Sequence, residues 1–417
     1  MRSKNLPFYP HKSIKGHSRI APSTISDPYG QGRALPLDEG GTDSGRYLRQ
    51  PGRTHGGEHA GNPRALLVRR GNLGHRRVTF TPIIYFHGGV GAKEHLSFTR
   101  LMDASLGING SRFLASSLIT ITQVGWYSVN VTLGGEALSQ LTGLDRLLMI
   151  TLFGVAVAAV TYSGFRRLSD FTKVMASLTA VFALWALYAI LTQGPTFSAP
   201  SLSTERLLHA SGLAIGGAMS ISTVSPDFVK DTRSRRDLRI TTFGVVLPLI
   251  LFTLISGNLM GAYSLIPNPV FALIAISMPL LANLLLFLGS AAAASSLYPP
   301  TLALANIVKI PRNYATIPAA LVGLVLAYLG IVEQLTIFLR LIGILLPPFI
   351  GINLAEYCLL SKRKMAARDG TNLVGVLSWL VGSAVGYFLE VGIAPLNALF
   401  SSMPSYFVLR LLKSKTR

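Results

Sequence analysis

Ten long apolar segments, separated by short polar loops, occupy residues 113–412 and limit the fold more than any other feature. Each is long enough for a helix rising about 1.5 Å per residue to cross a hydrocarbon core about 30 Å thick. Because lipid offers no hydrogen bonds to the backbone, such segments favour helices. We therefore predict an all-α polytopic membrane protein with spans at 113–138, 145–164, 170–192, 206–229, 239–262, 270–308, 314–332, 335–360, 372–390 and 393–412.

The sixth segment, 270–308, is too long for one simple crossing. It fits either a tilted helix with an extension or two half-helices that meet near Pro299 and Pro300. The charges of the flanking loops favour a single crossing, because only an odd number of crossings keeps the alternation of basic and acidic loops intact.

Loop charges also orient the chain. Basic clusters at 166–173, 230–239 and 362–368 fall in alternate loops. The side rich in Lys and Arg is cytoplasmic in multi-pass proteins, so we predict a protein of the cell membrane with a cytoplasmic C-terminus. The opposite loops are predominantly acidic and contain Glu136, Asp145, Glu205, Glu333 and Glu390 beside Arg146 and Arg206.

Residues 1–90 are basic and rich in Gly and Pro, without a helical or strand period, so we predict a disordered segment there and a transmembrane domain at 91–417. The segment is either a basic tail that touches anionic lipid or RNA, or the product of a wrong start site or a frameshift. The formal net charge of +20 does not indicate a nucleic-acid-binding protein, because the basic residues of the second half lie in the loops between spans.

Several chemistries are disfavoured. The single cysteine, Cys358, excludes a disulfide framework and a cysteine-based metal cluster, and its apolar surroundings predict a buried thiol. Of the histidines, only His209 falls within a predicted span, and no paired carboxylates or nucleophile–base constellation accompany it. We therefore predict that the protein is not an enzyme and has no catalytic residues, no metal site and no cofactor.

A polar face interrupts the first predicted span in the stretch "TQVGWYSVN". Gln123, Trp126 and Asn130 are spaced by three and four residues and share one helix face. An amide that both donates and accepts, beside an indole plane, suits a flat polar heterocycle. The alternative is structural, with Gln123 bonding another helix and Trp126 filling space.

A second unusual stretch is "GLAIGGAMSISTVSPDFVK". Its glycines and Pro226 are typical of the broken helices that line substrate sites in secondary transporters. Asp227 begins the basic loop, and we expect it to pair with Lys230 or Arg233.

Two further stretches carry small residues or prolines. Ala291 to Ser296 permit tight helix packing or, alternatively, line a cavity. Pro347 and Pro348 predict a kink in the eighth span, and Glu356 is expected to snorkel or pair near Lys362.

These stretches resemble the nucleobase–cation symporter-1 family of cytosine and purine permeases. "GINGSRFLASSLITITQVGWYSVNV" resembles the family's third helix, and "STVSPDFVKDTRSRRDLR" its sixth helix and the following loop. "LYPPTLALANIVKIPR" is similar to the end of its eighth helix and "LLPPFIGINLAEYCLLSKRK" to its tenth. Order and spacing match across 91–417, which makes that region a permease-like domain.

The resemblance implies a twelve-helix fold whose first ten helices form two inverted five-helix repeats, with helices one and six interrupted. It implies that Gln123 hydrogen-bonds a base, that Trp126 stacks on it, and that Gly217, Ala218 and Ser220 line the site. The expected function is secondary active transport of a nucleobase or related planar heterocycle by alternating access, with a small-molecule substrate, the lipid bilayer and no nucleic acid as partners. The oligomeric state is left open.

The sequence departs from the family pattern at two places. Family helix one and most of helix two have no counterpart in 91–417, so the fold is expected to be partial. Ala291 to Ser295 replace the threonines and the Asn-Asp-Asn of cytosine permeases, which leaves sodium or proton coupling open, and Ala218 replaces an aromatic residue. The alternative function is therefore a truncated, inactive permease remnant.

Overall fold

The computed structural model describes residues 80–192, 203–266, 269–361, 364–389 and 391–415, and this part of the chain contains helices and no strands. The α-helices of seven or more residues are α1 (Phe80–Glu94), α2 (Phe98–Ser105), α3 (Ser116–Thr142), α4 (Arg146–Tyr162), α5 (Phe165–Leu191), α6 (Thr204–Val229), α7 (Leu247–Ser264), α8 (Pro269–Ala275), α9 (Pro279–Ala292), α10 (Tyr298–Val308), α11 (Arg312–Tyr328), α12 (Leu335–Leu345), α13 (Pro347–Ala355), α14 (Leu373–Phe388) and α15 (Ala394–Lys415).

Each of the ten predicted spans coincides with helical structure, so the prediction of an all-α polytopic protein is confirmed. Two shorter apolar helices, Arg146–Tyr162 and Leu373–Phe388, accompany five helices that are long and apolar enough to cross a membrane. Those five are Phe165–Leu191, Thr204–Val229, Arg235–Ala262, Pro279–Val308 and Ile331–Leu360.

The helical region starts earlier than the sequence suggested. α1 begins at Phe80, ahead of the predicted boundary at residue 91, so residues 80–90 are helical rather than disordered. Its fifteen described residues include the pair Gly88–Gly89. Residues 1–79 lie outside the described residues.

In the long sixth segment, Pro279–Val308 is long and apolar enough for one crossing, and the short helix α8 forms an extension before it. This arrangement fits the first of the two predicted alternatives. The short helix α8 precedes α9 and α10, which a 3₁₀ turn at Ala293–Leu297 joins. The turn comes before Pro299, so the prolines begin α10 rather than separate two half-helices. The predicted kink in the eighth span is confirmed, because α12 ends at Leu345 and α13 starts at Pro347.

α6 is continuous, so the expected interruption of this helix is wrong. Gly216 serves close packing rather than a break, because a Cβ added there would lie 2.9 Å from the carbonyl oxygen of Leu339 in α12. Inside the helix, the hydroxyls of Ser222 and Thr223 donate to the carbonyls four residues earlier, at 3.0 and 2.8 Å. Pro226 lies inside the helix without breaking it.

α3 lies at the centre of one hydrophobic core, which small residues make compact. Tyr127 packs on Gly323 of α11, where an added Cβ would lie 2.3 Å from its ring, and its hydroxyl donates to the carbonyl of Gly154 in α4 at 2.9 Å. Ala291 and Ala294 are buried in the same cluster, so the prediction of tight packing there is confirmed.

Two carboxylates have partners that the sequence did not indicate. Asp227 does not pair with Lys230, which bonds Asp231 at 2.5 Å; its Oδ1 instead accepts from the backbone N–H of Phe98 at 2.7 Å and caps α2. Glu356 is buried and paired with Arg368 at 2.5 Å. It also accepts from the Tyr406 hydroxyl at 2.7 Å, while Lys362 lies outside the described residues.

Cys358 is exposed, which corrects the expectation of a buried thiol. It lies in a π-helical turn at Glu356–Leu360.

Two helical glycines offer a matched test of this packing. A Cβ at Gly135 would lie 2.4 Å from the Cα of Ile150, whereas nothing lies within 4 Å of one at Gly212. Because backbone cannot move aside cheaply, Gly135→Ala should destabilise the purified protein by about 1–3 kcal/mol in thermal or denaturant unfolding. Gly212→Ala should be neutral or stabilise by up to about 1 kcal/mol, and equal effects would contradict the packing.

Candidate substrate site

Three of the predicted site residues meet at one hydroxyl between α3 and α6. Gln123 Nε2 donates to Ser220 Oγ at 2.7 Å, and Trp126 Nε1 donates to the same oxygen at 3.0 Å. Gln123 and Ser220 are buried, whereas Trp126 is partly buried. The helical spacing of three brings both donors to one side of α3, and the opposed turn of α6 supplies the acceptor.

The cluster has an aromatic wall that the sequence did not suggest. Phe338 of α12 lies edge-on to Trp126, with 5.5 Å between ring centroids and 75° between the planes. Gly125 makes room for it, because a Cβ there would lie 2.6 Å from the Phe338 ring. Asn130, on the same face, is bonded within its own helix to the carbonyl of Trp126 at 2.7 Å.

Gly217 and Ala218 are placed differently from the other three residues. Gly217 lies one turn before Ser220, and an added Cβ there would have only Leu339 in contact, at 3.8 Å. Ala218 packs against a separate apolar cluster that contains Met219, Ile350 and Leu399. The structure therefore does not bring Ala218 together with Gln123 and Trp126.

The small residues Ala291 to Ser295, which the resemblance places in family helix eight, lie at the end of α9 and in the turn after it, beside α3. Ala291 and Ala294 contact the core that contains Val124 and Tyr127, and alanine side chains supply no oxygen. Ser295 instead lines a cavity of about 480 Å³ together with residues of α5 and α7. Because a hard cation needs converging oxygen ligands, these side chains do not fit a sodium ion.

Within the described residues, no group of three or more His, Cys, Asp or Glu side chains is close enough to hold a metal ion.

Two polar residues without a predicted role are buried next to α6. His87 and Asn353 are completely buried and hydrogen-bonded to each other at 3.0 Å. Nothing in the sequence pattern pointed to His87, which lies outside the predicted spans.

In the part of the chain that the structure describes, the helices, five of them long and apolar enough to cross a membrane, are those of a polytopic membrane protein. A family described as "Permease for cytosine/purines, uracil, thiamine, allantoin" matches residues 78–409, and the chain belongs to this family of permeases.

Individual relatives are distant but cover most of the chain. The cytosine permease of Escherichia coli K12 is 26% identical over 349 residues, which span 79% of this chain and 81% of that protein. The hydantoin permease of Microbacterium maritypicum is 23% identical over 339 residues, 72% of this chain and 68% of the relative.

Solved structures share the fold. Mhp1, a nucleobase-cation-symport-1 family transporter, in a closed conformation with bromovinylhydantoin bound, superposes with a TM-score of 0.71 at 20% identity. The match covers 82% of this chain and 84% of the Mhp1 chain. The substrate-bound, outward-open state of a Na⁺-coupled sialic acid symporter gives a TM-score of 0.56 at 15% identity, covering 81% and 82% of the two chains.

The shared acceptor predicts energetic coupling between α3 and α6. In unfolding measurements, Ser220→Ala should cost about 1–3 kcal/mol, because it leaves the buried Gln123 amide and the partly buried Trp126 indole without their acceptor. In a double-mutant cycle with Gln123→Leu, the effects should be non-additive by about 0.5 kcal/mol or more. Additivity would show that the Gln123–Ser220 hydrogen bond is not formed.

Proposed function

We propose that the chain is a secondary active transporter that carries a nucleobase or a related planar amide heterocycle across the cell membrane by alternating access. The observation that carries this proposal is the convergence of Gln123 and Trp126 on Ser220. A planar base presents acceptors and donors along one edge and π-faces on both sides, and this cluster offers both kinds of contact.

The site residues take the following proposed roles. Gln123 hydrogen-bonds the polar edge of the base, and Trp126 stacks on its face. Ser220 exchanges its hydrogen bond with Gln123 for a hydrogen bond with the substrate. Gly217 leaves space on the α6 side, where its nearest side-chain neighbour is Leu339. Ala218 has a secondary role at most, because it packs into a separate apolar cluster.

The relatives support this substrate class. Their names specify cytosine and hydantoin, both planar rings with an amide edge. The solved Mhp1 structure carries a substituted hydantoin. The family membership supports transport rather than catalysis. A substrate that enters a buried site from one side and leaves on the other requires alternating access, in which one group of helices rocks against another around that site.

Uptake and binding of a panel of bases test the proposal. Saturable uptake of radiolabelled cytosine, purines or hydantoins into permease-deficient cells is expected, together with binding to the purified protein. A chain that folds but neither binds nor transports any member of the panel would instead be the inactive remnant.

A matched pair of substitutions tests the site itself. Gln123→Ala should weaken binding by more than the roughly 0.5–1.5 kcal/mol of one hydrogen bond, because the polar edge of the base would be left unpaired. Gln140→Ala, the same change at an exposed position of α3, should leave the affinity unchanged. Calorimetric titration distinguishes the two, and equal affinities would remove Gln123 from the site.

The proposed orientation is tested separately. The basic loops are expected to face the cytoplasm, so an epitope after Arg417 should be protected in intact cells and accessible after permeabilisation. Accessibility in intact cells would reverse the orientation.

A further inference from the structure

A buried histidine outside the candidate substrate site occupies the junction of α1, α6 and α13. His87 Nδ1 lies 2.9 Å from the carbonyl oxygen of Ser222 in α6, and Nε2 lies 3.0 Å from Asn353 Nδ2 in α13. All three residues are completely buried. A buried ring that bridges three helices is more than a space-filling side chain.

Pro226 explains why the Ser222 carbonyl is available. Proline has no N–H, so the carbonyl four residues earlier loses its partner in the helix. Ser225 Oγ donates to that oxygen at 2.8 Å, and His87 supplies a second donor from another helix. Because a carbonyl oxygen can only accept, Nδ1 carries a proton, and only Nε2 can gain or lose one.

The Asn353 amide can hydrogen-bond His87 Nε2 in either protonation state of the ring. With a neutral ring, the Asn353 amide donates to Nε2, and Asn353 Oδ1 is buried without a hydrogen-bond partner among the described residues. If Nε2 gains a proton, a half-turn of the amide lets Oδ1 accept from it. The ring keeps two hydrogen bonds in both states, and no helix has to move.

Charged groups surround this junction unequally. Asp227 of α6 is buried, and the Phe98 residue whose N–H it accepts lies edge-on to His87, with 6.2 Å between ring centroids. This buried carboxylate, with Lys230 near it at the end of α6, shares Phe98 as a neighbour with His87 and is a candidate to balance an imidazolium. The other charged groups are paired or lie toward helix ends. Lys93 and Glu94 lie at the end of α1. Two ion pairs lie nearby, Arg100 with Asp103 in α2 and Glu356 with Arg368 beyond α13. The basic residues of 235–239 lie against the opposite face of α1, where Gly89 contacts Leu238.

We propose that the His87 imidazole is a proton-binding site, held between the Ser222 carbonyl and the Asn353 amide, and that its occupancy is linked to substrate binding through α6. In the step, the hydrogen bond from Asn353 Nδ2 to Nε2 breaks, a hydronium ion transfers one proton to the Nε2 lone pair and leaves as water, and the ring becomes an imidazolium. Ser222 lies within one helical turn of Ser220, so one segment of α6 contacts both sites. The linkage rests on the proposed function, whereas proton binding does not.

Nitrogen NMR of histidine-labelled protein in nanodiscs, without substrate, tests the proton site. One imidazole should show the Nδ1–H tautomer at high pH and become an imidazolium between about pH 8 and pH 4. His87→Gln should remove this signal, and His209→Gln, the same change at an exposed position of α6, should leave it in place. A His87 ring that does not titrate in this range would overturn the proposal.

Substitutions of Asn353 make the test independent of folding of the His87 variant. Asn353→Asp places a carboxylate beside Nε2, so the midpoint should rise by about one pH unit or more relative to the unaltered protein. Asn353→Leu removes the acceptor and should lower it. An unchanged midpoint in Asn353→Asp would show that Nε2 is not the proton-binding atom.

Adding a base at saturating concentration tests the linkage. The His87 midpoint should shift, and the dissociation constant should change with pH in the unaltered protein but not in His87→Gln. A base that binds without shifting the midpoint would overturn the linkage alone. Titration of His87 in a protein that binds no base would leave the proton site standing and count against the proposed function.

Discussion

Inside a membrane, each buried polar group must find its partner within the protein, and the rest of this structure depends on how α6 meets that constraint. Pro226 frees the carbonyl of Ser222, and the replacement donors are Ser225 Oγ in the same helix and His87 in another. One turn further, Asp227 supplies the N-terminal cap of α2. The end of α6 is therefore fastened to α1 and α2 by hydrogen bonds that the helix cannot make alone.

Close backbone contact fixes the other side of the same helix. Gly216 allows α6 to approach the Leu339 carbonyl and Gly343 of α12, and Gly125 allows α12 to place Phe338 against Trp126. Polar attachment on one side and glycine packing on the other leave Ser220 facing α3. The position of its hydroxyl therefore depends on the packing of α6 against α1, α2 and α12 as well as on α3.

The sequence predicted the parts of this arrangement that depend on local pattern. Hydropathy located the spans because apolar length is a local property, and the spacing of Gln123 and Trp126 placed both on one helix face. The partner of these residues was not predictable from spacing, since Ser220 lies 97 positions after Gln123. The family likeness named Ser220 and Gly217, but it also named Ala218, whose side chain packs elsewhere. The continuity of α6 and the cap made by Asp227 depend on tertiary contacts, which no one-dimensional pattern records.

Membership of this family does not fix the coupling ion, because a sodium ion and a proton require different ligands from the protein. A hard cation requires several oxygen atoms that converge at a fixed distance, and the side chains of Ala291 to Ala294 provide none. A proton requires one lone pair and a neighbour that can hydrogen-bond it in both charge states. The Nε2 atom of His87 and the amide of Asn353 meet that smaller demand. Loss of oxygen ligands in one helix therefore need not abolish coupling, provided that α6 still transmits the state of His87 to Ser220.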